Sequence, residues 1–568
     1  MKMSQLLVRP ARQGPRQALT AAHRLLIQAG YIRESAPGLF AALPLQIQAL
    51  DRLTAILRAE LTQLGAEEWR LPRLQFAADS ASPTWLGERS AFEIMDRRGA
   101  RLTLAGPQDG LVLHLLAREI NSYKQLPRRI FQIVPAYQDD YRSVLGLVSA
   151  REISVLHAWA LDANEADTAN TMRLLTRVLE RVCRRAGLDG RWVDAGRPGA
   201  EGPPARRLVT PQEDGPEEVL YCAACGYAAM TSVAVSRIIT HGREEEPRTC
   251  ETVHGPGLIQ TKPLAEFLNI PHWKTTKMLL FEADGEPVAV MVRGDCDVSE
   301  AKVRRRLGCR RLVLAPPERV RQLTGAEVGY AGPIGLPDEV CLLADEATRE
   351  RVNFECGANR TDHHYINVNF DRDLPQPEFG DFRQATAGHL CARCETGRLA
   401  PEPVGVLGEV VPWGTGLPQA TGCCFVSDEG RQRPAWLAAL TLDFTGLLAA
   451  VVEKHHDPAG IVWPVGVAPF QVHLMGLNLD DQDVHRAAEH LYGRLQEEGL
   501  VVLFDDRDTR AGDKFRDAEL LGMPVLLTLS RRTHQAGQVE LRFRHQTEKT
   551  LLGLEPALAR IRRFLLQG

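Results

Sequence analysis

Two cysteine pairs, Cys222/Cys225 and Cys391/Cys394, have the Cys-x-x-Cys spacing that brings two thiolates onto one metal ion. Together they supply the four sulfurs of a tetrahedral structural zinc site. The pairs are separated by 165 residues, so the site closes only if the intervening chain returns to its starting point, as an inserted domain does. The competing reading is four ordinary thiols. Twelve cysteines in 568 residues fall far below the density of a disulfide-stapled scaffold. A second chemical signal lies at the C-terminus, where the last 38 residues carry eight Lys/Arg against three acids. Such local basicity suits a polyanionic partner, although a solvated helix face has the same composition.

The elements that must position these groups follow from periodicity. Residues 45–64 and 165–187 show apolar positions at helical spacing, and 111–121 is also read as helix. Gly65 closes the first helix. Alternation over 128–138 and 151–161 predicts two strands joined by a loop. The Gly/Pro-rich stretch 195–217 predicts a loop or linker. From about 248 to 380 the chain alternates strand and helix, with strands expected on KMLLFEA and VAVMVRGD and a helix on AKVRRRLG. The stretch from 394 to 446 has no clear pattern, and a helix follows over 446–456. Beyond 465, strands and helices alternate through a compact domain of about 100 residues.

Length suggests three or four domains. A net charge of −4, with 44% hydrophobic and 25% charged residues, is an ordinary soluble composition. No apolar run is long enough for a membrane-spanning helix. The first 33 residues carry Lys2, Arg9, Arg12, Arg16, Arg24 and Arg33 without an acid, but 25–43 already reads as folded sequence. A cytoplasmic protein, without a membrane or DNA partner, is expected.

Long collinear segments resemble bacterial prolyl-tRNA synthetase, the form whose catalytic core carries an inserted editing domain. They include 28–44 (QAGYIRESAPGLFAALP), 122–127 (SYKQLP), 274–295 (KTTKMLLFEADGEPVAVMVRGD), 329–337 (GYAGPIGLP), 358–373 (ANRTDHHYINVNFDRD), 453–474 (EKHHDPAGIVWPVGVAPFQVHL) and 505–524 (DDRDTRAGDKFRDAELLGMP). The resemblance implies a mixed α/β (α+β) multidomain fold. Its parts are a class II synthetase antiparallel-sheet core over 1–245 and 382–464, an inserted α/β editing domain over 246–381, and a C-terminal α/β anticodon-binding domain over 465–568. It also implies tRNA(Pro) as partner, a homodimer through the core, and Cys-x-x-Cys pairs flanking the insertion, as in some relatives.

Ligation of proline requires arginines on the ATP phosphates and a grip on the amino acid's ammonium group. At those positions this chain departs from the family. Gln138, in Tyr137-Gln138-Asp139-Asp140, stands where a phosphate-binding arginine is expected. The Gly-x-Gly-x-x-Arg segment reads Thr441-Leu442-Asp443-Phe444-Thr445-Gly446. The proline-recognition loop reads Gly106-Pro107-Gln108-Asp109-Gly110-Leu111, Ser-His-Glu becomes Ala205-Arg206-Arg207, and Gly-His becomes Gly408-Glu409. Arg142, Arg151 and Glu152 remain as a residual ATP and aminoacyl site. One lost transition-state contact costs about 10²–10³ in rate, so ATP and Mg²⁺ are expected as cofactors only if ligation persists.

The insertion keeps the residues that the resemblance assigns to hydrolysis of mischarged alanine, and sometimes cysteine, from tRNA(Pro). Lys277 matches a pocket lysine with Lys274 near it, and Gly329, Gly332 and Pro333 match a glycine-rich loop. His364 matches a pocket histidine, with His363 beside it leaving open which imidazole faces the pocket, and Asp295 and Asn359 sit in matching turns. In the C-terminal domain, Arg507, Arg510 and Lys514 are candidates for anticodon phosphates, and Asp517 or Glu519 for guanine edges. The expected function is editing hydrolysis on tRNA(Pro). A divergent proline ligase and a non-catalytic tRNA-binding regulator are the alternatives.

Overall fold

The computed structural model describes all residues except 16, 77–91, 105–107, 140–145, 148–149, 197–203, 214, 240–244, 310 and 568. Arg142, Gly106 and Pro107 therefore lie outside the described residues. The chain forms two compact units, one of Met1–Trp192, Arg207–Pro216 and Pro403–Gly568, the other of Val193–Arg206 and Glu217–Glu402. Among the described residues no helix is long and apolar enough to cross a membrane.

The first unit is organised around an antiparallel pair, Arg128–Tyr137 with Glu152–Asp162, in register from Arg128↔Leu161 to Tyr137↔Glu152. Strand Trp436–Asp443 pairs with the other edge of Glu152–Asp162, and Gly408 to Gly414 of strand Leu399–Gly414 pairs beyond it. The 399–414 strand escapes a sequence reading because prolines and glycines interrupt its apolar run, and its register shifts between Pro412 and Gly414. Helix Glu165–Arg185 presents Leu175, Val178, Leu179 and Val182 to the core, an i, i+3, i+4, i+7 stripe. Asn164 caps it by accepting a hydrogen bond from Asp167 N–H. Helix Phe444–Lys454 is buried from Phe444 to Val452.

The predicted 195–217 linker needs correction, because residues Arg206–Pro211 form a strand with Leu208 and Val209 fully buried. Its short apolar run is hidden in sequence by the Pro, Gly and charged residues around it.

Residues 465–568 form a sheet in which Val472–Gly476 lies parallel between Val502–Asp505 and Val525–Leu529. Val539–Phe543 and Thr550–Leu552 extend it antiparallel. Buried aliphatic residues of helices Gln482–Glu497 and Leu554–Gln567 complete its core.

The second unit holds a five-stranded sheet ordered Leu312–Leu314, Thr276–Ala283, Glu286–Arg293, Cys341–Asp345, Glu378–Gly380. A three-stranded sheet places His363–Val368 between Glu251–His254 and Phe354–Gly357. Two short ladders carry the cysteines: Glu217–Cys222 with Ala228–Met230, and Ser236–Arg237 with Leu390–Cys391. This unit extends on both sides of 246–381 because those cysteine hairpins pack on each other in one small core.

Candidate functional site

In the three-stranded sheet, His364 pairs with Val253 on one side and Gly357 on the other. It is the buried imidazole, 2% exposed. His363 is half-buried, and its ring lies 5.0 Å from that of His254. His364 Nδ1 lies 2.9 Å from Glu355 Oε1. A carboxylate offers only lone pairs, so this geometry suits an Nδ1–H donor. Glu355 is 1% exposed, and its carboxylate also accepts from Thr276 N–H at 3.1 Å. The Thr276 hydroxyl donates to Glu355 O at 2.5 Å, and Arg351 donates to that hydroxyl at 3.1 Å. His364 Nε2, also buried, has no hydrogen-bond partner among the described residues.

The glycine-rich loop reaches this imidazole through Tyr330, whose ring lies 5.5 Å from that of His364. Tyr330 OH accepts from Gly257 N–H and donates to Asp362, both at 2.8 Å. Gly329 adopts φ +101°, a conformation that suits glycine. At Gly332 a Cβ would stand 1.7 Å from Gly357 O, so only glycine permits this approach of loop to strand. Asn359 locks the loop: its Oδ1 accepts from Gly332 N–H at 2.7 Å, and its Nδ2 donates to Gly332 O and Ile334 O. Pro333 follows directly. Gly329, Gly332, Pro333 and His364 therefore belong to one locality.

Lys277 does not share it. Alternation along Thr276–Ala283 puts Lys277 on the face of Leu279 and Phe281, which packs with Val303 and Phe382. Met278, on the opposite face, packs with Ala331 and Leu336 of the glycine loop. The Lys277 ammonium pairs with Asp297. Lys274 is buried in a 3₁₀ turn and donates to Glu245 at 2.5 Å, while Asp295 is held by two hydrogen bonds from Arg293.

The core positions that depart from the resembled family are occupied by internal contacts. Asp443 caps helix Phe444–Lys454, its Oδ1 accepting from Gly446 N–H at 2.8 Å. A helix N-terminus is where N–H donors gather for an anion, and here the chain's own carboxylate fills that place. Glu409 and Arg207, both buried, form an ion pair at 3.0 Å. Gln108 Oε1 accepts from Arg73 at 2.6 Å and from Gln132 at 2.8 Å, while its amide donates to Pro72 O. Asp109 accepts from the Trp159 indole at 2.6 Å. Gln138 is buried, and its backbone N–H, which any residue there would offer, donates to Arg151 O. Arg151 pairs with Asp139 at 2.7 Å and lies over the Phe92 ring, while Glu152 opens its strand exposed.

Sequence reasoning missed Arg73 and His157 in this region. Burial lowers the Arg73 guanidinium to about 10, and burial together with Arg73 lowers His157 to about 3.

The four predicted metal ligands are brought together, with all four sulfurs within 4.8 Å of one another. Cys222 and Cys394 sulfurs lie 3.7 Å apart, and those of Cys225 and Cys391 3.6 Å. A tetrahedron with Zn–S bonds of about 2.3 Å has edges of about 3.8 Å, so the geometry fits zinc. Two further features suit thiolates: Arg393 N–H donates to Cys391 Sγ at 3.3 Å, and a Cβ at Gly397 would press to 2.3 Å from Cys222 Sγ.

In the C-terminal domain three of the candidates for tRNA contact are buried and engaged within the domain. Arg507 pairs with Asp505 at 2.7 Å and Asp517 at 3.0 Å, and Lys514 donates to Gly476 O. Arg507, Lys514 and Asp517 are 6%, 2% and 3% exposed, so their polar atoms hold the domain together. Glu519 is half-buried and pairs with Arg542 and Arg544. Arg510, Arg560 and Arg563 are exposed.

Glu355 is the main omission from the sequence reading. Its signal was a lone carboxylate inside the apolar run Phe354-Glu355-Cys356, a charge that folding buries only with partners.

Comparisons with known proteins agree with this anatomy. Residues 257–374 match the aminoacyl-tRNA editing domain family and 465–564 the anticodon binding domain family. A proline–tRNA ligase of Moorella thermoacetica is 35% identical over 100% of this chain and 99% of its own length. One from Geobacter sp. strain M21 is 32% identical over 99% and 98%. Two solved structures share the fold. Prolyl-tRNA synthetase from Cryptosporidium parvum, complexed with halofuginone and AMPPNP, has a TM-score of 0.57 at 9% identity, covering 96% of this chain and 77% of that one. The Giardia lamblia enzyme, in complex with prolyl-adenylate, has a TM-score of 0.55 at 12% identity, covering 96% and 79%.

Proposed function

Since the chain belongs to the proline–tRNA ligase family of bacterial type, we propose that it acts on tRNA(Pro) and that its retained reaction is editing hydrolysis, the release of alanine wrongly esterified to that tRNA. The observation that carries this reading is a contrast. In the core, three of the replaced positions spend polar atoms inside the fold, Asp443 on its helix cap and Arg207 and Glu409 on their ion pair. In the region matching the editing family, a buried imidazole keeps a bare nitrogen beside a glycine loop. Gly329, Gly332, Pro333 and His364 then form the ester pocket, and Lys277 acts on backbone phosphates from the opposite face of its strand. The anticodon arm is reached through exposed Arg510, Arg560 and Arg563. Zn²⁺ on Cys222, Cys225, Cys391 and Cys394 is structural, and the protein works in the cytoplasm as a homodimer.

ATP-dependent ligation is the second reading, with ATP and Mg²⁺ as its cofactors. It is favoured by full-length similarity to proteins named proline–tRNA ligase and by Arg73, a cation beside Gln108 in the core. Two assays on the full chain separate the readings. Deacylation of alanyl-tRNA(Pro) without proline-dependent ATP–pyrophosphate exchange is the expected result. Exchange that disappears in Arg151→Ala would establish ligation instead. Neither activity, with tRNA(Pro) still bound, would identify a non-catalytic regulator.

A further inference from the structure

The buried pair of Glu355 and His364 has the construction of a general-base dyad. We infer that Glu355 is a positioning residue that holds His364 in the Nδ1–H tautomer, so that Nε2 takes the proton from the water attacking the aminoacyl ester. This inference rests on the editing reading above and names the residue that makes it work.

Three observations carry it. First, the Nδ1–Oε1 distance of 2.9 Å, with a carboxylate as partner, fixes both the ring orientation and the position of its one proton. Second, the carboxylate is itself fixed. Glu355 is 1% exposed, and its other oxygen accepts from Thr276 N–H, whose residue is in turn tied by its hydroxyl to Glu355 O and Arg351. A buried carboxylate with that many donors is expensive to assemble merely to pin one side chain. Third, Nε2 is buried with no partner among the described residues. His23, His157 and His473 also carry bare buried nitrogens, but of these four only His364 has a carboxylate on Nδ1 and Tyr330 of the glycine loop against its ring. The neighbouring wall is formed by Tyr330 and by Gly255, where a Cβ would already touch the imidazole Cδ2 at 3.4 Å.

The step balances without a metal or redox partner. Water oxygen bonds to the ester carbonyl carbon as its proton moves to His364 Nε2. The tetrahedral carbon then breaks its bond to the ribose oxygen, which takes that proton from Nε2. Free alanine and tRNA with a restored ribose hydroxyl leave, and the dyad returns to its starting tautomer.

Glu355→Gln is the informative variant. Its amide oxygen can still accept from Thr276 N–H, but its NH₂ then faces Nδ1 and drives the imidazole to the Nε2–H tautomer. In the full chain acting on alanyl-tRNA(Pro), kcat is expected to fall by about 10²-fold or more with KM within about threefold. ¹⁵N spectra of histidine-labelled protein, with His364 assigned by difference against His364→Asn, should move from an Nδ1–H to an Nε2–H pattern. That signature also shows that the variant is folded. Wild-type hydrolysis that Glu355→Gln retains within threefold, or a His364 proton on Nε2 in the wild type, would overturn the dyad alone. A wild type that does not hydrolyse alanyl-tRNA(Pro) would overturn the editing reading and the base role together.

Discussion

Removing the metal from the four-cysteine site should unfold more than two hairpins. The cysteine ladders are short, and among the described residues the apolar cluster around them is small: Leu220, Tyr227, Ala229, Ala234, Ala385 and Leu399 with Cys222, Cys391 and the partly buried Cys394. Such a small core depends on a staple. A bridge between Cys225 and Cys391 closes a loop of about 165 residues, for which chain-entropy arithmetic gives about 5 kcal/mol at 25 °C. For a unit of about 200 residues, with an unfolding entropy near 2.1 cal/mol/K per residue, that is a loss of about 12 °C in melting temperature. Elemental analysis of purified protein should give one zinc per chain. Calorimetry after chelation, or on Cys225→Ser, should show a transition lowered by roughly that amount, while the rest of the protein melts as before. Protein with no zinc, or a transition that moves by less than about 2 °C when zinc is removed, would refute the assignment of a load-carrying tetrathiolate site.

Other perturbations follow from the same geometry. Glu409→Gln leaves Arg207 buried against an uncharged partner and should cost about 3–5 kcal/mol in urea unfolding, whereas Arg207→Met with Glu409→Leu should recover most of that loss. His157 is buried with its pKa lowered to about 3, so between that value and its ordinary 6.5 the unfolded chain binds the extra proton. Stability should therefore fall as pH drops below 6.5, by about 2 kcal/mol at pH 5, and His157→Asn should remove that part of the slope in melts at pH 7 and pH 5. Gly332→Ala pushes a methyl group into Gly357 O and should lower deacylation at least tenfold, read in the alanyl-tRNA(Pro) assay. Arg510→Ala should weaken tRNA(Pro) binding and reduce its salt slope by about one unit, while Arg507→Ala should act mainly through lower thermal stability of the C-terminal domain.

Much of the architecture was legible because its signals were local. The stripe on Glu165–Arg185 and the alternation of Arg128–Tyr137 and Glu152–Asp162 each follow from periodicity within one element. The strand Arg206–Pro211 was not legible, since its apolar run is short and lies among Pro, Gly and charged residues. The same limit governs the sites. Cysteine spacing announces a tetrathiolate cluster, but nothing in the motif around Lys277 says that strand alternation turns it away from Gly332. Nor does the motif around Arg507 and Lys514 say that their charges are consumed inside the domain. A recognisable pattern names the residue that occupies a position, whereas the direction of its side chain is decided by packing. Glu355 shows the converse: its role is visible only once Thr276 and His364, 79 positions and nine positions away, arrive at its two oxygens.

The Asp443 cap also bears on how this protein can change. Replacing that aspartate by glycine removes the hydrogen bond from Gly446 N–H, yet glycine is itself a tolerated cap, so the loss is only about 0.3 kcal/mol. Restoring an arginine alone leaves the carboxylate in the way. Emptying that helix end is therefore a single shallow step, whereas a cation placed beside the cap meets a carboxylate already bound.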